Sequence, residues 1–161
     1  MIDVDHLIFI HGSSGSKSQT YKAVLLRGLF PGMVVPDFTG DLPERMAQLE
    51  TVLGAETGWT LVGSSLGGLM AALFAMQHPD QVRKLVLLAP ALTLPGFTNS
   101  LPSRISIPTI IIQGTQDELI PLEPTRKLAK KIFTSLTYIV VDDDHRLHKT
   151  AQELDWNVML A

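Results

Sequence analysis

The chain has 161 residues, of which 45% are hydrophobic and 18% charged, a balance typical of a compact domain and not of a disordered chain. The formal net charge of -3 and the lack of any run of Lys or Arg argue against a nucleic-acid partner. The absence of cysteine excludes disulfides, a thiolate nucleophile and cysteine-based zinc sites. The apolar run at residues 6–10 is too short for a signal peptide or a membrane span. We therefore expect a single cytoplasmic domain over residues 1–161.

Short apolar runs alternate with segments of helical periodicity along the whole chain. The runs predict six strands, at residues 6–10, 33–36, 59–63, 84–89, 108–114 and 136–141. The periodic segments predict helices at residues 18–29, 42–53, 66–77, 123–132 and 147–158. Residues 90–107 are rich in Pro, Ser and Gly and are predicted to form an irregular loop with one helical turn.

This alternation predicts an α/β fold in which βαβ units build a three-layer, doubly wound, mostly parallel sheet of about six strands. Ligands of such sheets bind at the carboxyl ends of the strands. The chemistry is therefore expected in the loops that follow the predicted strands.

The loop after the first strand, in the sequence FIHGSSGSKS (residues 9–18), resembles the start of a phosphate-binding P-loop. A P-loop needs glycine directly before its lysine and again five residues earlier. Those two positions hold Ser16 and His11 here. The spacing therefore disfavours a nucleotide site, and the loop needs another role.

The third strand is followed by Gly63-Ser64-Ser65-Leu66-Gly67, directly before a predicted helix. A G-x-S-x-G sequence at a strand-to-helix junction is typical of a nucleophile elbow, which exposes its central serine on a strained turn. The alternative is a tight turn with a helix-capping serine. The pattern makes Ser65 the candidate nucleophile.

A serine hydroxyl needs a base to accept its proton and a carboxylate to orient that base. Asp117 follows the fifth strand in GTQDELIP, and His145 follows the sixth in DDDHRL. The chain order is thus Ser, Asp, His. His148, three residues beyond His145, remains an alternative base, and the aspartates at positions 142–144 are expected to be a solvated cluster at the strand end.

The motifs HGSSGS, GSSLGG, HPDQVRKLVLLAP, GTQDELIP and DHRL, on successive strand ends over essentially the whole chain, resemble the α/β-hydrolase family. The resemblance implies that Ser65 is the nucleophile, His145 the general base and Asp117 the carboxylate that holds the imidazole. It also implies an oxyanion hole made by the backbone N–H of Leu66 and by that of Ser13 or, alternatively, Ser14. The resemblance leads us to expect fewer strands than the family's full sheet, without its N-terminal two-strand hairpin. It also leads us to expect that residues 90–107 are too short for a lid, which predicts a minimal, lidless core.

These features together predict a serine hydrolase that acts on a small-molecule carboxylic ester or thioester through an acyl-enzyme, with no metal or organic cofactor. The alternative is a non-catalytic protein of the same fold that uses the cleft for binding. The sequence leaves the natural substrate and the oligomeric state undetermined.

Overall fold

The computed structural model describes residues 1–13, 20–98 and 104–161, and its centre is a parallel sheet of five strands. The strands are paired in chain order, from β1 at one edge to β5 at the other. They are β1 (Leu7–Ile10), β2 (Trp59–Ser64), β3 (Val82–Leu88), β4 (Thr109–Gln116) and β5 (Leu136–Asp144). Every residue of β1 and β2 is buried, as expected for parallel strands covered on both faces.

Helices cover the sheet on both sides. They are α1 (Tyr21–Leu29), α2 (Leu42–Leu53), α3 (Leu66–Gln77), α4 (Pro95–Thr98), α5 (Leu122–Ile132), α6 (His148–Glu153) and α7 (Trp156–Leu160). Buried side chains of α2, α3 and α5 pack in one apolar cluster, and those of α1, α6 and α7 pack in another. Side chains of β1 alternate between the two clusters, so the fold has the three layers that the alternation predicts. Within the described ranges, no helix is both long and apolar enough to span a bilayer.

The predicted strand at residues 33–36 is wrong as a strand, because the structure reduces it to a single bridge. Val34 donates its N–H to Leu7 and accepts the N–H of Phe9, at 2.8 and 2.9 Å. The next residue in register to donate would be Pro36, which has no N–H. Pairing therefore stops after one residue, and the sheet has five strands instead of six.

The predicted C-terminal helix over residues 147–158 is two short helices in the structure. Leu147 has the left-handed φ of 54° and precedes α6, and Leu154 returns the chain to an extended conformation. The Asp155 side chain then accepts the N–H groups of Asn157 and Val158, which caps the start of α7. An apolar pattern alone did not reveal this internal cap.

The junction of β2 and α3 is so crowded that it requires glycine at two positions. A Cβ on Gly67 would lie 2.0 Å from the carbonyl oxygen of Ile10, and one on Gly63 would lie 2.4 Å from that of Gly67. Both neighbours are backbone atoms, which cannot move away as a flexible side chain can. The two glycines therefore let α3 begin directly against β1 and β2.

We expect Gly67→Ala to lower the free energy of unfolding by about 2–4 kcal/mol, because the new methyl group would overlap the backbone of β1. Gly28→Ala is the matched control, since Gly28 is an exposed residue of α1 and a Cβ there meets nothing within 4 Å. That variant should be more stable by about 0.5–1 kcal/mol, through helix propensity alone. Urea unfolding of both variants measures the difference, and equal effects would contradict the crowding.

Candidate active site

The structure brings Ser65, His145 and Asp117 together at the carboxyl end of the sheet. His145 Nδ1 lies 2.9 Å from Asp117 Oδ2, and His145 Nε2 lies 3.1 Å from Ser65 Oγ. An ionised carboxylate only accepts hydrogen bonds, so Nδ1 carries the proton and Nε2 presents a lone pair to the serine hydroxyl. The arrangement can therefore accept a proton from Ser65.

Ser65 lies on a strained turn between β2 and α3. Its φ of 55° and ψ of -114° belong to a region that residues other than glycine seldom adopt. The turn is held on both sides, because the Ser65 N–H donates to Leu88 and its carbonyl accepts the N–H of Ala91. Neighbouring structure thus fixes the backbone conformation in which the Ser65 hydroxyl reaches His145.

Asp117 is held in place by its own loop. Its side chain is fully buried, and Oδ1 accepts the N–H groups of Leu119 and Ile120, which leaves Oδ2 for the histidine. Gln113, also fully buried, donates from Nε2 to the Ile120 carbonyl and accepts the Tyr138 hydroxyl at Oε1. Burial raises the pKa of Tyr138, so its hydroxyl stays protonated and remains a donor. This network closes the loop that carries Asp117.

The histidine loop is fastened to two neighbouring helices. Lys22 of α1 donates from Nζ to the Arg146 carbonyl at 2.6 Å, one residue after His145. Asp143 Oδ2 accepts both the N–H and the hydroxyl of Thr150, at 3.0 and 2.7 Å. Burial alone would raise the pKa of the Asp143 carboxyl, but the hydrogen bonds from Thr150 and from the Asp144 N–H, together with the charge of Lys149, hold that pKa below its usual value.

The residues expected to form an oxyanion hole lie around one cavity. Ser13 and Leu66 both line a cavity of about 170 Å³. As the first residue of α3, Leu66 has no partner for its N–H within the helix, and the described residues give it no other partner. Ser14, the alternative donor, lies outside the described residues.

The rival assignments occupy other positions. His148 begins α6, is exposed, and stacks on Tyr21 with ring centroids 4.5 Å apart. Asp144 accepts the N–H groups of Arg146 and Leu147, and Asp142 bonds to Gln116. His148, Asp142 and Asp144 thus contact residues near them, and none of the three is hydrogen-bonded to Ser65.

Arg45 is the residue near the site that the sequence reasoning missed. Its side chain is 2% exposed, lines the same cavity as Ser13 and Leu66, and donates from Nη2 to the carbonyls of His11 and Gly12, each at 3.2 Å. A signal was present, because position 45 falls within the apolar stripe of α2 formed by residues 42, 46, 49 and 53. A charge within an apolar stripe needs a structural or functional reason.

Comparisons with known proteins identify the family and the fold. The profile of the family described as alpha/beta hydrolase fold matches residues 12–103, more than half of the chain. A pyrethroid hydrolase of Sphingobium wenxiniae is 32% identical over 136 residues, which cover 75% of this chain and 47% of that protein. A homoserine O-acetyltransferase of Thermus thermophilus is 34% identical over 90 residues, which cover 55% of this chain and 22% of that protein.

Among solved structures, an alpha-beta serine hydrolase homologue from Coxiella burnetii superposes with a TM-score of 0.77. It is 21% identical, and the match covers 99% of this chain and 86% of that one, so it is evidence of the fold. The chain spans less than half the length of the two curated relatives that it matches.

The burial of Lys22, which donates to the loop that carries His145, can be tested through the pH dependence of stability. Burial lowers the pKa of its ammonium group from 10.5 to about 8, although Asp144 and Asp143 oppose the shift. Between those two pH values the unfolded chain binds more protons than the folded one, so the lysine's contribution to stability rises with pH. The free energy of unfolding of the unmodified protein, minus that of Lys22→Met, should increase by about 2–3 kcal/mol from pH 7 to pH 10.

Urea unfolding at each pH measures this difference. The exposed Lys127 of α5 offers a matched control as Lys127→Met. A difference for Lys22→Met that stays constant over the range would contradict the lowered pKa.

Proposed function

The chain belongs to the α/β-hydrolase fold family, and from that premise we propose that it is a serine hydrolase that cleaves carboxylic esters or thioesters. The observation that carries the proposal is the hydrogen-bonded series from Ser65 through His145 to the buried Asp117. A protein that only binds ligands has no chemical need for these three groups in this order. The relative named as a pyrethroid hydrolase adds support for hydrolysis.

In the first half of the proposed reaction, Ser65 Oγ bonds to the substrate's carbonyl carbon while His145 Nε2 takes the hydroxyl proton. The carbonyl oxygen gains negative charge, and the N–H groups of Leu66 and Ser13 stabilise it. The dipole of α3, whose N-terminus begins at Leu66, adds to this stabilisation. His145 then gives its proton to the leaving oxygen or sulfur, the bond to that atom breaks, and an acyl-enzyme remains.

In the second half, water replaces the leaving group. His145 Nε2 takes a proton from the water while the water oxygen bonds to the acyl carbon. His145 then gives that proton to Ser65 Oγ as the ester bond to the serine breaks. Asp117 accepts the Nδ1 hydrogen bond throughout, so the imidazolium is stabilised each time it forms. The products are a carboxylic acid and an alcohol or thiol.

The same acyl-enzyme can in principle pass its acyl group to an alcohol instead of water. The relative named as a homoserine O-acetyltransferase is the observation that favours this second candidate. Product analysis distinguishes acyl transfer from hydrolysis. Transfer gives a new ester when an acceptor alcohol such as homoserine is present. Hydrolysis gives the free acid at the same rate with or without the acceptor alcohol.

Ser65→Ala should abolish turnover of p-nitrophenyl and acyl-CoA esters, with a loss of more than about 10⁴-fold in kcat. Its unfolding curve should be almost unchanged, because the substitution removes one partly exposed hydroxyl. A fluorophosphonate probe should label the unmodified protein at Ser65 and leave the variant unlabelled. Lack of labelling of the folded, unmodified protein, beside a labelled control hydrolase, would favour the non-catalytic alternative.

His145→Ala and His148→Ala form a matched pair of histidine variants three positions apart. Only His145 has a nitrogen within hydrogen-bond distance of Ser65, so His145→Ala should reduce kcat by at least about 10³-fold. His148→Ala removes an exposed ring that stacks on Tyr21 and should retain activity within a few-fold. The opposite pattern of losses would assign the base to His148.

A further inference from the structure

The cavity beside the nucleophile contains a buried cation. Its volume is about 170 Å³, and it is lined by the two residues proposed for the oxyanion hole, Ser13 and Leu66, together with Phe38 and Arg45. The neighbouring Gly12 approaches the serine closely, because a Cβ there would lie 3.4 Å from Ser65 Cβ. Leu66 directly follows Ser65 in the chain, so a group bound in this cavity lies on the Leu66 side of the proposed nucleophile.

Arg45 has more hydrogen-bonding capacity than the protein uses. Nη2 donates to two carbonyls of the first loop, whereas Nε is buried and, like Nη1, donates to no acceptor in the described ranges. Burial lowers the pKa of the guanidinium, and no charged neighbour contributes to that shift. An arginine nevertheless keeps its proton at neutral pH, so the cavity holds a positive charge.

No carboxylate in the described part of the chain lies within ion-pair distance of the Arg45 guanidinium. Among residues 1–13, 20–98 and 104–161, none forms an ion pair with Arg45, and residues 14–19 and 99–103 contain neither Asp nor Glu. Glu44, at the rim beside Gly40, is exposed. His11 adds no negative charge, since its ring accepts the Phe38 N–H at Nε2 and carries its proton on Nδ1 beside the Gly12 carbonyl.

A buried, unpaired cation is costly unless an anion reaches it, and the guanidinium fork fits a carboxylate well. We propose that Arg45 and this cavity form a carboxylate subsite, so that the preferred substrates are esters or thioesters whose acyl chain ends in a carboxylate. This inference rests on the proposed function of Ser65. At about 170 Å³ the cavity is smaller than the roughly 300 Å³ at which ligand pockets commonly begin, so the acyl chain is short.

The position of the cavity assigns the carboxylate to the acyl half of the substrate. The leaving oxygen or sulfur receives its proton from His145, so it lies on the histidine side of Ser65. The cavity instead adjoins the donors that hold the carbonyl oxygen, Leu66 and Ser13, and His145 does not line it. The group that remains attached to the carbonyl carbon is therefore the one that extends toward Arg45.

Two esters of equal shape test the subsite. Monomethyl succinate ends in a carboxylate, and methyl 4-methylpentanoate replaces the two carboxylate oxygens with methyl groups. The unmodified protein should have a kcat/KM, measured by methanol release, at least about 10-fold higher for monomethyl succinate. A preference for the neutral ester would overturn the proposal without any mutation.

Arg45→Met should lower the ratio of the two kcat/KM values by about 10- to 100-fold, and Arg45→Lys, which keeps the charge but not the fork, by less. The ratio is the informative quantity because Arg45 also contacts loop carbonyls. If both substrates lose activity equally, Arg45 only supports the loop and the proposal is wrong. Arg83→Met is the control, since Arg83 bonds Thr60 and the Leu160 carbonyl and should leave the ratio unchanged.

Binding to an inactive protein separates this inference from the proposed function. Succinate should bind Ser65→Ala, as measured by calorimetry, and binding should weaken by at least about 10-fold when Arg45→Met is added. Arg45-dependent binding without hydrolysis of any ester would retain the subsite and reject the hydrolase. Hydrolysis of the neutral ester without Arg45-dependent binding of succinate would reject the subsite and retain the hydrolase.

Discussion

The contact between the start of α3 and the backbone of β1 is the constraint on which the rest of the site depends. Glycine at position 67 lets the helix begin where a Cβ would lie 2.0 Å from the Ile10 carbonyl oxygen, and Gly63 lets the preceding strand end close to the backbone of Gly67. Ser65 has a positive φ in the turn between β2 and α3, and Leu66, as the first residue of α3, has no acceptor for its N–H within the helix. The positions of Ser65 and Leu66, the proposed nucleophile and oxyanion donor, thus both depend on one close packing contact.

The opposite half of the site depends on the pairing of β4 with β5. The two strands are adjacent and parallel, so the loops that follow them emerge side by side. A Cβ on Gly114 would lie 2.1 Å from the Asp143 carbonyl oxygen, so glycine lets the strand ends approach where the register shifts. Asp117 and His145 come within hydrogen-bond distance because of this approach. Hydrogen bonds within and around each loop then hold Asp117 and His145 at this distance.

Charge around the site is distributed in a way that favours anions on one side. The two N–H groups of the proposed oxyanion hole, the N-terminus of α3 and the Arg45 guanidinium all lie around the same cavity. The carboxylate of Asp117 is on the far side of His145, with its oxygens already occupied. A developing oxyanion and a substrate carboxylate would both lie on the positive side, and the imidazolium on the negative side.

The order of strands and helices, the Ser-Asp-His order at strand ends and the α/β fold could all be predicted from the sequence, because burial periodicity and turn residues are local signals. Five of the six predicted strands are present. The missing strand is the one predicted at residues 33–36. Whether it forms depends on which residues Val34 pairs with and on the absent N–H of Pro36, and a local sequence pattern does not reveal strand pairing.

The sequence also named the residues that lie together in the site, yet it could not measure the distance between a serine at position 65 and a histidine at position 145. The sequence distinguishes Arg45 from other helix charges only by its position within an apolar stripe. Only the tertiary structure decided that this cation is buried, that no described residue forms an ion pair with it, and that it lines a cavity together with Leu66, the residue after Ser65. The physical reason is that desolvation and charge pairing depend on residues far apart in the chain, which only packing brings together.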